Sequence, residues 1–118
     1  MNENQKSIVD WAGQAFGRCS LLALSMKIED EVNELRDNLS ALVRTEDLKL
    51  KDSSRRASLE ECADVFILLC QIAERLDGDL MEAVAAKMRI NRARQWRRLP
   101  DGRFQPVENY VKASGKSP

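Results

Sequence analysis

A chain of 118 residues forms one domain with a modest core, which a partner chain can extend. Nineteen basic side chains balance nineteen acidic ones, which excludes a nucleic-acid or membrane-surface binder driven by net charge. Histidine is absent, so the commonest zinc ligand and the commonest general base are both missing. Any chemistry must run on carboxylates, lysine, arginine or a hard metal.

The first predicted helix covers roughly residues 3–16, with Ile8, Trp11, Ala12 and Ala15 on one face and Gly17 as its stop. A second begins after Ser20 and carries Leu24, Ile28, Val32, Leu35, Leu39 and Leu42 in steps of four and three, an apolar stripe. The charged segment from Thr45 to Arg56 has no apolar period and reads as a loop with one short helical turn near Asp47. Ser58 with Glu61 gives a capping-box pattern that opens a third helix, closed near Asp77-Gly78. Asp79 with Glu82 starts a fourth, which runs to about Trp96. Pro100-Asp101-Gly102 is a turn, and a polar tail follows it. The expected architecture is an all-α bundle of about four helices over residues 1–98, with residues 99–118 as a C-terminal tail.

Cys19, Cys62 and Cys70 are odd in number and widely spaced, which predicts reduced thiols, with Cys62 and Cys70 in the core. No basic-then-apolar leader opens the sequence and no apolar stretch reaches the ~18 residues of a membrane span. These features predict a soluble cytoplasmic protein without membrane contact.

Chemistry concentrates in two acidic pairs. Residues three apart on a helix are neighbours at about 5–6 Å between β-carbons, so Glu31 projects beside Glu34 and Glu61 beside Asp64. Taken alone, Glu29-Asp30-Glu31 with Glu34 reads more readily as a solvated helix face. Asp64 is sharper, as the only charge in the apolar run Cys62–Cys70. A carboxylate buried there needs a partner, because an unpaired buried charge costs several kcal/mol. That partner is either a basic side chain such as Lys87 or Arg94, or a divalent cation shared with the other carboxylates. Oxygen-only ligand sets select Mg²⁺ or Mn²⁺. Lys87, Asn91 and Arg94 stand at i, i+4 and i+7 on the fourth helix, a face suited to phosphate. The basic block around them also complements the negative end of the helix dipole without any ligand.

Three segments in order, Asp30-Glu31-Val32-Asn33-Glu34, Glu61-Cys62-Ala63-Asp64 and the run from Lys87 through Asn91 to Arg94, resemble the MazG-like all-α nucleoside triphosphate pyrophosphohydrolases. The family pattern is E-E-x-x-E, E-x-x-D and K-x-x-x-N-x-x-R, and the one departure is Asp30 in place of glutamate. The continuation Asn91-Arg92-Ala93-Arg94-Gln95-Trp96 with Pro100-Asp101-Gly102 is most similar to the small dATP/dGTP pyrophosphohydrolases, phage members included. The resemblance implies hydrolysis of (deoxy)nucleoside triphosphates, purine ones above all, to the monophosphate and pyrophosphate. It implies two or more Mg²⁺ ions, or Mn²⁺, at Glu31, Glu34, Glu61 and Asp64, with Glu31 or Glu34 activating the water. Substrate contacts would come from Lys27, Lys87, Asn91 and Arg94. The assembly implied is a homodimer or homotetramer that completes the bundle, in the host cytoplasm for a phage-borne protein, with no nucleic-acid partner. The competing expectation is a non-catalytic helical module whose acidic and basic faces pair across a dimer interface.

Overall fold

The computed structural model describes residues 2–107 as four helices and one small hairpin. The chain divides into two units, Met1–Leu80 and Met81–Pro118.

In the first unit, α1 (Gln5–Phe16) starts from a reciprocal cap: the Asn4 side chain accepts from Ser7 N–H at 2.8 Å, and Asn4 N–H donates to the Ser7 hydroxyl at 2.9 Å. Gly17 stops it at φ 74°, a left-handed conformation that a side chain disfavours. Helix α2 (Leu21–Arg44) is capped by the Ser20 hydroxyl, which accepts from Ala23 N–H at 3.0 Å. Both boundaries fall where the sequence signals place them.

Helix α3 (Leu48–Arg75) corrects the sequence reading. Residues 48–56 form its first turns rather than a loop, and Ser58 is a buried mid-helix residue rather than a cap. The true cap is Asp47, whose carboxylate accepts from Lys49 and Leu50 N–H at 2.9 and 3.1 Å. Within the segment Asp52 pairs with Arg55 at 3.0 Å and with Arg56 at 3.2 Å, the i+3 and i+4 partners that support an exposed helix. Missing apolar periodicity meant that this stretch packs little, and propensity made it helical regardless.

The three-residue link Thr45–Asp47 turns the chain back, so α2 and α3 run antiparallel as the main helix pair, and α1 packs on α3. The core of this single chain is thin. Among the described residues the buried apolar side chains are Ala12, Leu24 and Cys70. Leu22, Val43 and Leu48 are 70–79% exposed, and Leu39, Phe66 and Leu69 are open as well. Cys70 is core as expected, whereas Cys62 is exposed. Among the described residues no helix is long and apolar enough to cross a membrane.

In the second unit, α4 (Leu80–Ala93) ends three residues before Trp96. Trp96 instead opens β1 (Trp96–Arg98), antiparallel to β2 (Phe104–Pro106), with Arg97 opposite Gln105. Pro100-Asp101-Gly102 is the turn between them, with Gly102 at φ 93°. Part of the expected tail is thus a hairpin, stiffened by Arg98 lying 4.6 Å over the Phe104 ring. The rest of that tail lies outside the described residues.

Candidate metal and nucleotide site

Glu31 and Glu34 sit one turn apart on α2, and Glu61 faces them from α3. One carboxylate oxygen from each of the three lies within 4.8 Å of the others. Antiparallel pairing of two long helices fixes this meeting, because each glutamate projects from the face its helix turns toward its neighbour. Glu31 is only 6% exposed, Glu61 is half-buried and Glu34 is open to solvent.

The electrostatics are those of a crowded acid. Glu61 is pushed up to about 7 by its hydrogen bond to Glu31, then by desolvation and by the charge of Glu34. Glu31 is held below the usual carboxylate range by Glu61 and then by Lys27, whose ammonium lies 3.0 Å away. Below about pH 7 the pair therefore carries one proton, on Glu61, with Glu31 ionised. Glu61 Oε1 is nevertheless buried with no hydrogen-bond donor. Ordinary packing seldom leaves such an oxygen unmatched. Three carboxylates converging on one point, one with an orphan buried oxygen, fit a hard divalent cation.

Asp64 requires a correction. It is exposed rather than buried in its apolar run, because that stretch of α3 is covered on one side only by this chain. It lies outside the triad that meets within 4.8 Å, yet it still reaches Glu31 and contributes to holding that carboxyl ionised. Lys27 is placed by the i, i+4 spacing on the ion pair with Glu31, and its side chain is 59% exposed. The motifs reveal the carboxylates, but the proton on Glu61 shows only once α2 and α3 are seen side by side.

In the second unit Lys87 is exposed on α4, Asn91 is half-buried near its end, and Arg94 lies just past the last helical residue. Trp96 Nε1 donates to the Asn91 carbonyl at 2.9 Å, so the hairpin holds the helix end in place. Asn91 Oδ1 is buried without a hydrogen-bond partner. It is a polar atom with capacity to spare.

No protein-family model matches the chain. A dATP/dGTP diphosphohydrolase of Salmonella phage PMBT28 is 33% identical over 114 residues, which are 97% of this chain and 34% of that protein. A dATP/dGTP diphosphohydrolase of cyanophage S-2L is 45% identical over 47 residues, 40% of this chain and 45% of that protein. The matched region thus spans less than half the length of either relative. Among solved structures, the cyanophage S-2L MazG-like pyrophosphohydrolase bound to dGDP and three catalytic Mn²⁺ ions per active site superposes with a TM-score of 0.51 and 25% identity, covering 87% of this chain and 88% of that one.

Proposed function

We propose that the chain is a MazG-like, divalent-metal-dependent pyrophosphohydrolase that cleaves purine deoxynucleoside triphosphates to the monophosphate and pyrophosphate, a reading that the two phage diphosphohydrolases and the cyanophage structure support. The observation that carries this reading is the convergence of Glu31, Glu34 and Glu61 around a buried oxygen that has no donor.

Glu31, Glu34 and Glu61 would hold the ions, with Asp64 completing the set from one turn further along α3. Mg²⁺ or Mn²⁺ at such a site neutralises phosphate charge and lowers the pKa of bound water. Glu34, the most open of the three, would orient a water and accept its proton. Lys27 offers a positive charge beside the cluster, because its pairing with Glu31 leaves the side chain more than half exposed. Lys87 and Arg94 would bind phosphate oxygens, and Asn91 would anchor the sugar or a phosphate through its unpartnered Oδ1.

The same reading includes a homo-oligomer, dimer or tetramer. Val32, Leu35, Leu39 and Val43 line one open apolar depression along α2, a contiguous patch rather than scattered single residues. A second copy would complete the bundle, and for phage-borne relatives the setting is the host cytoplasm.

The deciding experiment measures pyrophosphate and monophosphate release from a panel of deoxynucleoside and ribonucleoside triphosphates with Mg²⁺, with Mn²⁺ and with a chelator. Metal-dependent pyrophosphate release, highest on purine deoxynucleotides, is the expected result. Absence of turnover on the whole panel by an intact oligomer would overturn the reading in favour of a non-catalytic helical module.

A further inference from the structure

A second feature lies on the same two helices as the carboxylates. A cavity of about 290 Å³ opens between α1, the start of α2 and the end of α3. Val9, Ala12 and Leu24 form its apolar wall, and Gln71, Glu74 and Arg75 form a polar edge. The volume falls at the lower end of ligand pockets, which suits a planar heterocycle better than a whole nucleotide.

Its position follows from helix geometry. Leu24 precedes Glu31 by seven residues, and Gln71 follows Asp64 by seven. Seven residues are two turns, so each pair shares a helix face at a separation of about 10 Å. That separation compares with the span from the α-phosphate to the far edge of a base in an extended nucleotide. We infer that this cavity is the base pocket of the nucleotide site and that Glu74 reads a guanine. The inference rests on the nucleotide reading of the carboxylate cluster.

Two observations support a ligand here. Gly13 lies inside α1 and lines the cavity, and a Cβ added to it would meet nothing within 4 Å. A helix-interior glycine costs conformational entropy relative to alanine, and nothing in this chain's own packing requires it. A side chain longer than alanine's at this position would have open space to grow into at the cavity's wall.

The second observation is the polar edge. Among the described residues Glu74 forms no ion pair, whereas Arg75 is already committed by donating to the Cys19 carbonyl. Gln71 donates only a long 3.4 Å bond to Ile67 O within its own helix. An ionised carboxylate is purely an acceptor with two oxygens, so it pairs with two adjacent N–H donors. Guanine presents that pair at N1 and the 2-amino group. Adenine presents a lone amino group beside an acceptor nitrogen, which would face the carboxylate repulsively.

The test compares dGTP with dITP, which lacks only the 2-amino group, in the intact metal-loaded protein and in Glu74→Gln and Gly13→Leu. It adds calorimetric titration of dGMP, which needs no turnover. Expected are a preference for dGTP over dITP in kcat/KM of at least ~10-fold, the worth of one hydrogen bond to a charged group, and its collapse toward unity in Glu74→Gln. Gly13→Leu should raise KM and weaken dGMP binding at least ~10-fold. Leucine favours the helix and the site has room for it, so circular dichroism should be unchanged. Turnover with an unaltered dGTP/dITP ratio in Glu74→Gln, or dGMP binding unaltered in Gly13→Leu, would overturn the base pocket and leave the pyrophosphohydrolase reading intact. dGMP binding that both substitutions weaken, without turnover of any triphosphate, would uphold the pocket and overturn the reaction. Neither binding nor turnover would overturn both.

Discussion

Below about pH 7 Glu61 of α3 carries the proton that Glu31 of α2 has given up, because Glu31 is kept ionised and Glu61 is pushed up to about 7. The ordinary glutamate value is 4.5. Between those two values the folded protein binds a proton at Glu61 that the unfolded chain has released. The stabilisation from that proton is therefore complete below 4.5 and is lost as pH rises through about 7. Glu31 acts in the opposite sense, with a contribution that disappears as pH falls below 4.5. Metal-free protein should melt at a higher temperature near pH 5 than at pH 8, and Glu61→Gln should flatten that difference. Melting temperatures that rise steadily from pH 5 to pH 8 in the metal-free protein would contradict a proton held on Glu61.

The metal must compete with that same proton. Loading Mn²⁺ at pH 6 should release protons, and loading at pH 8 should release few. Calorimetry in two buffers of different ionisation enthalpy reads the number directly. Apparent affinity should rise from pH 6 to pH 8. Equal affinity at both would show that Glu61 is not a ligand.

Charge-neutral substitutions separate ligation from folding. Glu34→Gln and Asp64→Asn alter exposed side chains, so circular dichroism and oligomer size should be retained while turnover falls more than about 100-fold, beyond the usual effect of outer-shell partners. Near-normal turnover in Asp64→Asn would remove it from the ligand set and leave the three glutamates. Lys27→Met has a different signature. Its melting temperature should drop without metal, because Glu31 loses its positive neighbour, and should recover with saturating Mn²⁺.

Short-range signals in the sequence were sufficient for Gly17, Ser20 and the stripe of α2, where caps and periodicity act within a few residues. Spacing put Glu31 and Glu34 on one helix face but left a solvated face the readier reading, and it was the order of three motifs that singled out these residues with Glu61, whose meeting across two helices only the fold displays. Short-range signals misled at Thr45–Arg56, where a helix that packs little carries no periodic mark. The burial expected of Asp64 failed for a longer-range reason. Apolar neighbours in sequence implied burial, yet burial depends on what covers the helix, and this chain covers one side. The hairpin at Trp96 was hidden by helix-favouring arginines before it, and only the turn at Pro100-Asp101-Gly102 hinted at the reversal. The cavity beside Gly13 needed three helices in place before it existed at all.

Assembly offers the last test. A shallow depression along α2 is lined by Val32, Leu35, Leu39 and Val43, with Arg36 and Arg44 at its margin, and Val43 is 79% exposed. Water against this stripe costs roughly 25 cal/mol per Å² of apolar surface, so covering it with a second copy is favourable. The Leu39→Asp and Val43→Asp exchanges place a charge on the stripe and leave the carboxylate cluster one or more turns away. Each should shift the protein toward monomer in sedimentation velocity, and turnover should fall in step with the oligomer. Salt distinguishes this from the alternative of paired acidic and basic faces. An apolar interface should hold or strengthen in ~1 M salt, whereas an interface of exposed ion pairs should dissociate, because the screening length falls to about 3 Å.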